Sequence, residues 1–267
     1  LTMITPVSMD HEQFLGNTLP KIASEKAGII KRGVPCIVGP QEDEALEVIE
    51  ETARRLGAPL FAYGQHWHVT QERGRLIYQD ENGLRDLPLP NLPGDHQIQN
   101  AGAAIAALRY LGMGDTALDG AVTSAQWLAR MQRLKTGPLT DAAPQAELWL
   151  DGGHNAAAGQ ALGRLLASLP ERPTHLICGM LNTKDISGYL APLAEQANSL
   201  TAISIPGEAN TLPAEDTAQA ARTVGLPAQT ADTALEAITA ITAETPAARV
   251  LICGSLYLAG AILRENG

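Results

Sequence analysis

The feature that most constrains this chain is the regular alternation of short apolar runs and helix-period stretches after residue 146. Apolar runs at 147–150, 174–178, 199–205 and 250–253 read as strands. Helical periodicity fills 157–169, 186–196, 214–224, 233–241 and 256–264. Continuous apolar runs without in–out alternation are typical of parallel strands covered on both faces. Strands alternating with helices predict a doubly wound, mostly parallel sheet. No internal repeat interrupts the pattern.

An open parallel sheet binds its ligands at the carboxyl ends of its strands. The glycine-rich polar stretches are expected there: DGGHN (151–155), GMLNTKD (179–185), PGEAN (206–210) and GSLYL (254–258). Asp151, Asn155 and Ser255 also suit helix capping, but four such loops on one edge favour a site. Asp151 and His154 can hold the two ends of a small substrate or form an acid/base pair. Lys184–Asp185 reads equally well as a solvated pair.

The first half is less regular. A strand over 1–5 leads into Asp10–His11. Thr18 is placed to cap a helix over 20–27 that carries Glu25–Lys26. VPCIVG (34–39) reads as a buried strand, 42–56 as an amphipathic helix and 60–63 as a strand. A hairpin is expected around Gly74, followed by a strand over 84–87, and helices over 96–111 and 118–129. RLKTGP (133–138) reads as a linker.

Individual residues here carry two readings each. A neutral His11 imidazole can ligate a divalent ion near phosphates. Lys26 is either an ordinary helix-surface lysine or a buried amine able to take up CO₂ as a carbamate. His66 and His68 share a strand face, but no third ligand is evident, so they are set aside. HQIQN (96–100) opens a helix whose free N–H groups favour an anion or a base edge. Arg130 either offsets a helix dipole or reaches a phosphate.

Charge and composition narrow the function. The net charge is −10, with 19 Lys and Arg against 29 Asp and Glu and no dense basic stripe. Binding of nucleic acid by phosphate neutralisation is not expected. Cys36, Cys178 and Cys253 are widely spaced in apolar runs and read as reduced core residues of a cytoplasmic protein. No apolar run reaches membrane-spanning length, and no secretory signal opens the chain. No G-x-x-x-x-G-K-[ST] occurs, so the sequence holds no Walker loop for a triphosphate. Residue 1 is Leu in a strand-like LTMIT. The expectation is therefore a chain that begins mid-protein.

Taken in order, ITPVSMDHEQFLG, TLPKIASEKAGIIK with VPCIVG, LPGDHQIQNAGAAIAAL, ARMQ, LDGGHN, GMLNTKD and GSLYLAG resemble the folylpolyglutamate synthase/dihydrofolate synthase family of the Mur ligase superfamily. The resemblance runs through nearly the whole chain. It implies that 1–136 is the C-terminal part of a P-loop-type ATPase (central) domain, and that 137–267 is a Rossmann-like C-terminal domain. It implies an ATP-dependent ligase that joins L-glutamate to dihydropteroate or a folyl-glutamate through an acyl phosphate. A different Mur-type amino-acid ligase and a non-catalytic small-molecule-binding module are the alternatives. The implied cofactors are ATP and Mg²⁺, with His11 and an N-carbamylated Lys26 as metal ligands. Asn100, Arg130 and Asp151 would contact the base, phosphates and ribose. His154, Ser255 and Tyr257 would hold the incoming glutamate, His154 with a catalytic part. The family's glycine-rich phosphate loop is not in this sequence, so the chain alone is expected to be inactive. A monomer without nucleic-acid or membrane partners is expected.

Overall fold

A computed structural model describes residues 1–9 and 16–266. They form two compact units, Leu1–Gln126 and Trp127–Gly267.

The first unit starts from a parallel sheet ordered β1 (Thr2–Ile4), β2 (Cys36–Val38), β3 (Leu60–Ala62). Successive residues of a strand face opposite sides, and β2 uses both. Cys36 and Val38 pack with Ile22, Ala23 and Ala27 of α1 (Leu19–Ala27) and with Ala45, Ile49 and Ala53 of α2 (Asp43–Leu56). Ile37 joins a second cluster, built from an antiparallel meander and a helix. The meander is β4 (Trp67–Glu72), β5 (Arg75–Asp80) and β6 (Gly83–Leu87); the helix is α3 (Asp95–Tyr110). Gly102 lets α3 press onto β4. A Cβ there would stand 2.5 Å from Val69 Cγ1 and 2.8 Å from Trp67 Cζ3.

The meander is fastened to α3 by an ion pair. Arg109 donates from Nε to Asp80 Oδ2 at 2.7 Å and from Nη2 to Oδ1 at 2.8 Å. Both side chains are nearly buried, at 10% and 11% exposure.

Three sequence expectations change in this unit. His66 lies in the turn before β4, so it does not share a strand face with His68, and its Nδ1 accepts from Ala62 N–H at 3.1 Å. Thr18 occupies the N-cap of α1 with an extended backbone, but its side chain makes no capping hydrogen bond. The helix expected over 118–129 is α4, Asp115–Thr123. Thr123 Oγ1 donates to Asp119 C=O at 2.7 Å, and Ser124 Oγ donates to Gly120 C=O. Both bonds lie in the last turn, where the helix ends.

The second unit is the doubly wound sheet. Its order is β11 (Ala228–Thr230), β10 (Ser199–Ala202), β9 (Thr174–Cys178), β12 (Arg249–Cys253), β8 (Glu147–Leu150), β7 (Gln132–Leu134). All neighbours are parallel except β7, which runs antiparallel to β8. Alternation along β12 divides the core. Val250 and Ile252 pack with Leu139 of α5 (Pro138–Ala142), Ile238 of α9 (Ala234–Glu244) and Ile262 of α10 (Leu256–Asn266). Leu251 and Cys253 face the other side. They pack with Leu162 of α6 (Ala156–Ser168), Leu190 of α7 (Ile186–Ala194) and Ala218 of α8 (Ala214–Thr223). All three cysteines are free thiols and buried.

The linker read at 133–138 is instead the end of β7 and the start of α5. Arg133 sits opposite Trp149 on β8, its guanidinium 5.3 Å from the ring centroid. Cross-strand pairing, not an apolar pattern of its own, makes this segment a strand. β11 was not expected either. Its Ala228, Gln229 and Thr230 are half-buried or exposed at a sheet edge, so no apolar run marks it. Among the described residues no helix is long and apolar enough to cross a membrane.

Candidate functional site

Parallel pairing brings the polar loops of the second unit to one edge. Leu150 at the end of β8 is in register with Ile252 of β12, and Cys253 with Cys178 of β9. The chain therefore leaves β8 as DGGHN beside the point where it leaves β12 as GSLY. GMLNTKD follows β9 on the next strand. The loop edge expected from the sequence is present.

Asp151 is 6% exposed. Its Oδ1 accepts from Gly153 N–H at 2.7 Å, and its Oδ2 from Met131 N–H at 2.8 Å. The carboxylate thus ties its own loop to the turn that precedes β7. Ala129 C=O in that turn accepts from Gly152 N–H at 2.9 Å. Gln132 Oε1 accepts from Ala129 N–H, also at 2.9 Å. Ala129 and Met131 have φ of 54° and 41°, the left-handed region that residues with a Cβ rarely adopt. Arg130 lies between them. Its Nη1 donates to Ala129 C=O at 3.1 Å. That nitrogen would be 3.2 Å from a Cβ on Gly152, and Leu256 Cδ2 would be 2.3 Å away. A side chain at 152 would displace Leu256 and crowd the Arg130 guanidinium.

His154 Nδ1 lies 2.9 Å from Gly152 C=O. A carbonyl only accepts, so Nδ1 carries a proton and donates it to this bond. Asn155 caps α6, accepting from Ala158 N–H at 2.9 Å. Ser255 is buried and its Oγ accepts from Tyr257 N–H at 3.1 Å, satisfying an amide in the first turn of α10. The capping reading thus holds for Asn155, and Ser255 has a local partner of the same kind. Asp151 does something else. Tyr257 is 58% exposed. With Leu256, Glu208 and Arg264 it lines a cavity of about 460 Å³ on the same edge.

The other candidates lie in the first unit. Asn100, exposed on α3, donates from Nδ2 to Gln97 Oε1 at 3.0 Å. Gln97 Nε2 stands 3.1 Å from His96 Nε2, so HQIQN forms a linked polar series at the start of α3. Lys26 is exposed in the last turn of α1, turned away from the core face of Ile22, Ala23 and Ala27. The burial that the carbamate reading invoked is not found in this unit. His11 lies outside the described residues. Among the described residues no group of three or more His, Cys, Asp or Glu side chains can hold a metal ion.

Nothing local in the sequence marks Gln132 or the strain at Ala129 and Met131. ARMQ contains no glycine to mark a left-handed turn, and the partner of that turn lies 20 residues downstream at Asp151.

Fold and loops together define a doubly wound α/β module with its polar loops gathered at the carboxyl edge. Residues 132–265, half of the chain, match the family described as dihydrofolate synthetase, C-terminal domain. The chain belongs to the dihydrofolate synthase/folylpolyglutamate synthase family. It is 27% identical to the folylpolyglutamate synthase of Lacticaseibacillus casei over 98% of this chain and 61% of that protein. It is 32% identical to the dihydrofolate synthase/folylpolyglutamate synthase of Escherichia coli over 72% of this chain and 43% of that protein. Among solved structures, E. coli FolC in complex with DHPP and ADP matches with a TM-score of 0.84 at 28% identity, over 98% of this chain and 60% of that one. A bifunctional synthase with Mn, AMPPNP and L-glutamate bound matches with a TM-score of 0.80 at 28% identity, over 98% and 61%. The chain spans about three fifths of the length of the structures and of the L. casei relative.

Proposed function

We propose that this chain is part of an ATP-dependent ligase that adds L-glutamate to dihydropteroate or to a folyl-glutamate. The observation that carries the reading is the DGGHN and Arg130 cluster at the carboxyl edge, in a chain whose fold matches a FolC complex with ADP. In this reading 1–136 belongs to the ATPase domain and 137–267 is the C-terminal domain.

Arg130 offsets charge on the transferring phosphoryl group, while Asp151 meets the ribose and Asn100 the base. The substrate carboxylate attacks the γ-phosphorus, giving an acyl phosphate and ADP. The amine of glutamate attacks the acyl carbon, and the tetrahedral intermediate expels phosphate to leave an amide. His154, Ser255 and Tyr257 hold the glutamate. His154 also has the catalytic part in this reading, in proton transfer from the incoming ammonium group. ATP and a divalent ion are the proposed cofactors. The resemblance assigns the ion to His11 and a carbamylated Lys26. The described residues alone do not form its site, so no step here passes through it.

Two outcomes test this. The protein expressed from its complete gene should turn over dihydropteroate or a folyl-glutamate with ATP and glutamate. Turnover of only a UDP-muramoyl substrate would overturn the folate assignment. Residues 1–267 alone contain no Walker loop and should release no ADP in response to glutamate. Glutamate-dependent ADP release from that chain would contradict the mechanism.

A further inference from the structure

We infer that Gln132 and Asp151 are positioning residues that hold Arg130 at the carboxyl edge by fixing a strained turn. The inference rests on the reading of Arg130 as a phosphate contact. It adds a residue, Gln132, and a second role for Asp151.

The turn is unfavourable by itself. Two non-glycine residues with positive φ flank Arg130, and such conformations persist only where their surroundings over-determine them. Here the surroundings are specific. Gln132 Oε1 takes the amide of Ala129 before the arginine, and Asp151 Oδ2 takes the amide of Met131 after it. Gly152 N–H holds Ala129 C=O from the facing loop. Ala129 and Met131 are buried at 3% and 4% exposure, while Arg130 between them is half-buried. The side chains on either side are therefore anchored inward and only the arginine is presented. Arg130 in turn bonds to Ala129 C=O and reaches over Gly152. One carboxylate fixes both the arginine's turn and, through Gly153 N–H, the DGGHN loop. The two halves of the cluster are thus set by the same group. A strained geometry in place before ligand arrives is the preorganisation that electrostatic stabilisation requires.

Hydrogen exchange and kinetics on the protein expressed from its complete gene test this. Gln132→Ala should lower protection of the Ala129 amide at least about tenfold, and Asp151→Ala should do the same at Met131, as loss of a buried hydrogen bond implies. Unchanged protection at both amides overturns the clamp whatever the enzyme binds. Gln132→Ala should also raise the KM for ATP about tenfold with a smaller effect on KM for glutamate, and Gln132→Glu, which keeps the acceptor, should restore it. In an Arg130→Ala background Gln132→Ala should have no further effect on KM for ATP. A residue that only supports the fold would add its full effect in both backgrounds, and that additivity would overturn the inference while leaving the nucleotide reading intact. Wild-type KM for ATP in Arg130→Ala would instead overturn the nucleotide reading and this inference with it.

Discussion

Replacing Asp80 with alanine should destabilise the first unit by about 3–5 kcal/mol, because it leaves the Arg109 guanidinium buried without its counter-charge. The pair is bidentate and only about a tenth exposed, at 10% and 11%. It joins the end of β5 to the last turn of α3, and Asp80 also accepts from Asn82 N–H at 2.9 Å and from Tyr78 O–H at 3.3 Å. Replacing both partners by apolar residues of similar volume should cost far less than removing either alone, since no charge is then stranded. Equilibrium urea unfolding of the two single variants and the double variant measures this. A loss below about 1 kcal/mol for Asp80→Ala, the range of exposed pairs, would contradict the burial assigned to the pair.

The same pair gives a pH dependence of known sign. Burial pushes the Asp80 carboxyl up, but its hydrogen bonds from Arg109, Asn82 and Tyr78, with the Arg109 charge, outweigh burial and hold it below the ordinary 3.8. A carboxylate with a depressed folded-state pKa contributes stability that is complete above the unfolded-state value and lost as pH falls through the folded-state value. The stability gap between wild type and Asp80→Ala should therefore be constant from pH 7 down to about pH 5 and narrow below about pH 4. Burial, with the Asp80 charge and hydrogen bond added, pushes the Tyr78 hydroxyl well above its usual value, so this tyrosine stays neutral through the working range.

Lys26→Ala should abolish turnover of the protein expressed from its complete gene while leaving its stability within about 0.5 kcal/mol. The second half of that expectation comes from position. Lys26 is exposed and outside the core face of α1, and alanine is the better helix former. A loss of activity would then be chemical, not structural. If the amine acts as a carbamate, short carboxylates added to the variant should restore part of the rate, because they supply the oxygen pair that the substitution removed. Near-normal turnover without added carboxylate would exclude the carbamate role.

The sequence made the second unit legible because its strands are buried on both faces. Runs such as VLIC announce themselves without knowledge of their partners, and the polar stretches after them fall at the carboxyl edge by topology alone. β7 and β11 were not legible for the opposite reason. Each is a three-residue edge strand whose pairing is decided by a neighbour, β8 or β10. α4 ends at Thr123, although the apolar spacing continues to residue 129. At the site, Asp151 and Arg130 stood out as residue types. That Asp151 holds the backbone beside Arg130 depends on a hydrogen bond spanning 20 residues, which no local pattern encodes. His11 remains an expectation from the sequence.

In the proposed function this chain belongs to an enzyme that activates a pteroate or folate carboxylate as an acyl phosphate and passes it to glutamate. Incubating the protein expressed from its complete gene with ATP, glutamate and substrate labelled with ¹⁸O in that carboxylate tests it most directly. One labelled oxygen should appear in the released phosphate for each ADP formed, with a product heavier by one glutamyl residue. Product carrying the extra glutamate with no label in the phosphate, or ADP release that needs neither glutamate nor the carboxylate substrate, would contradict it.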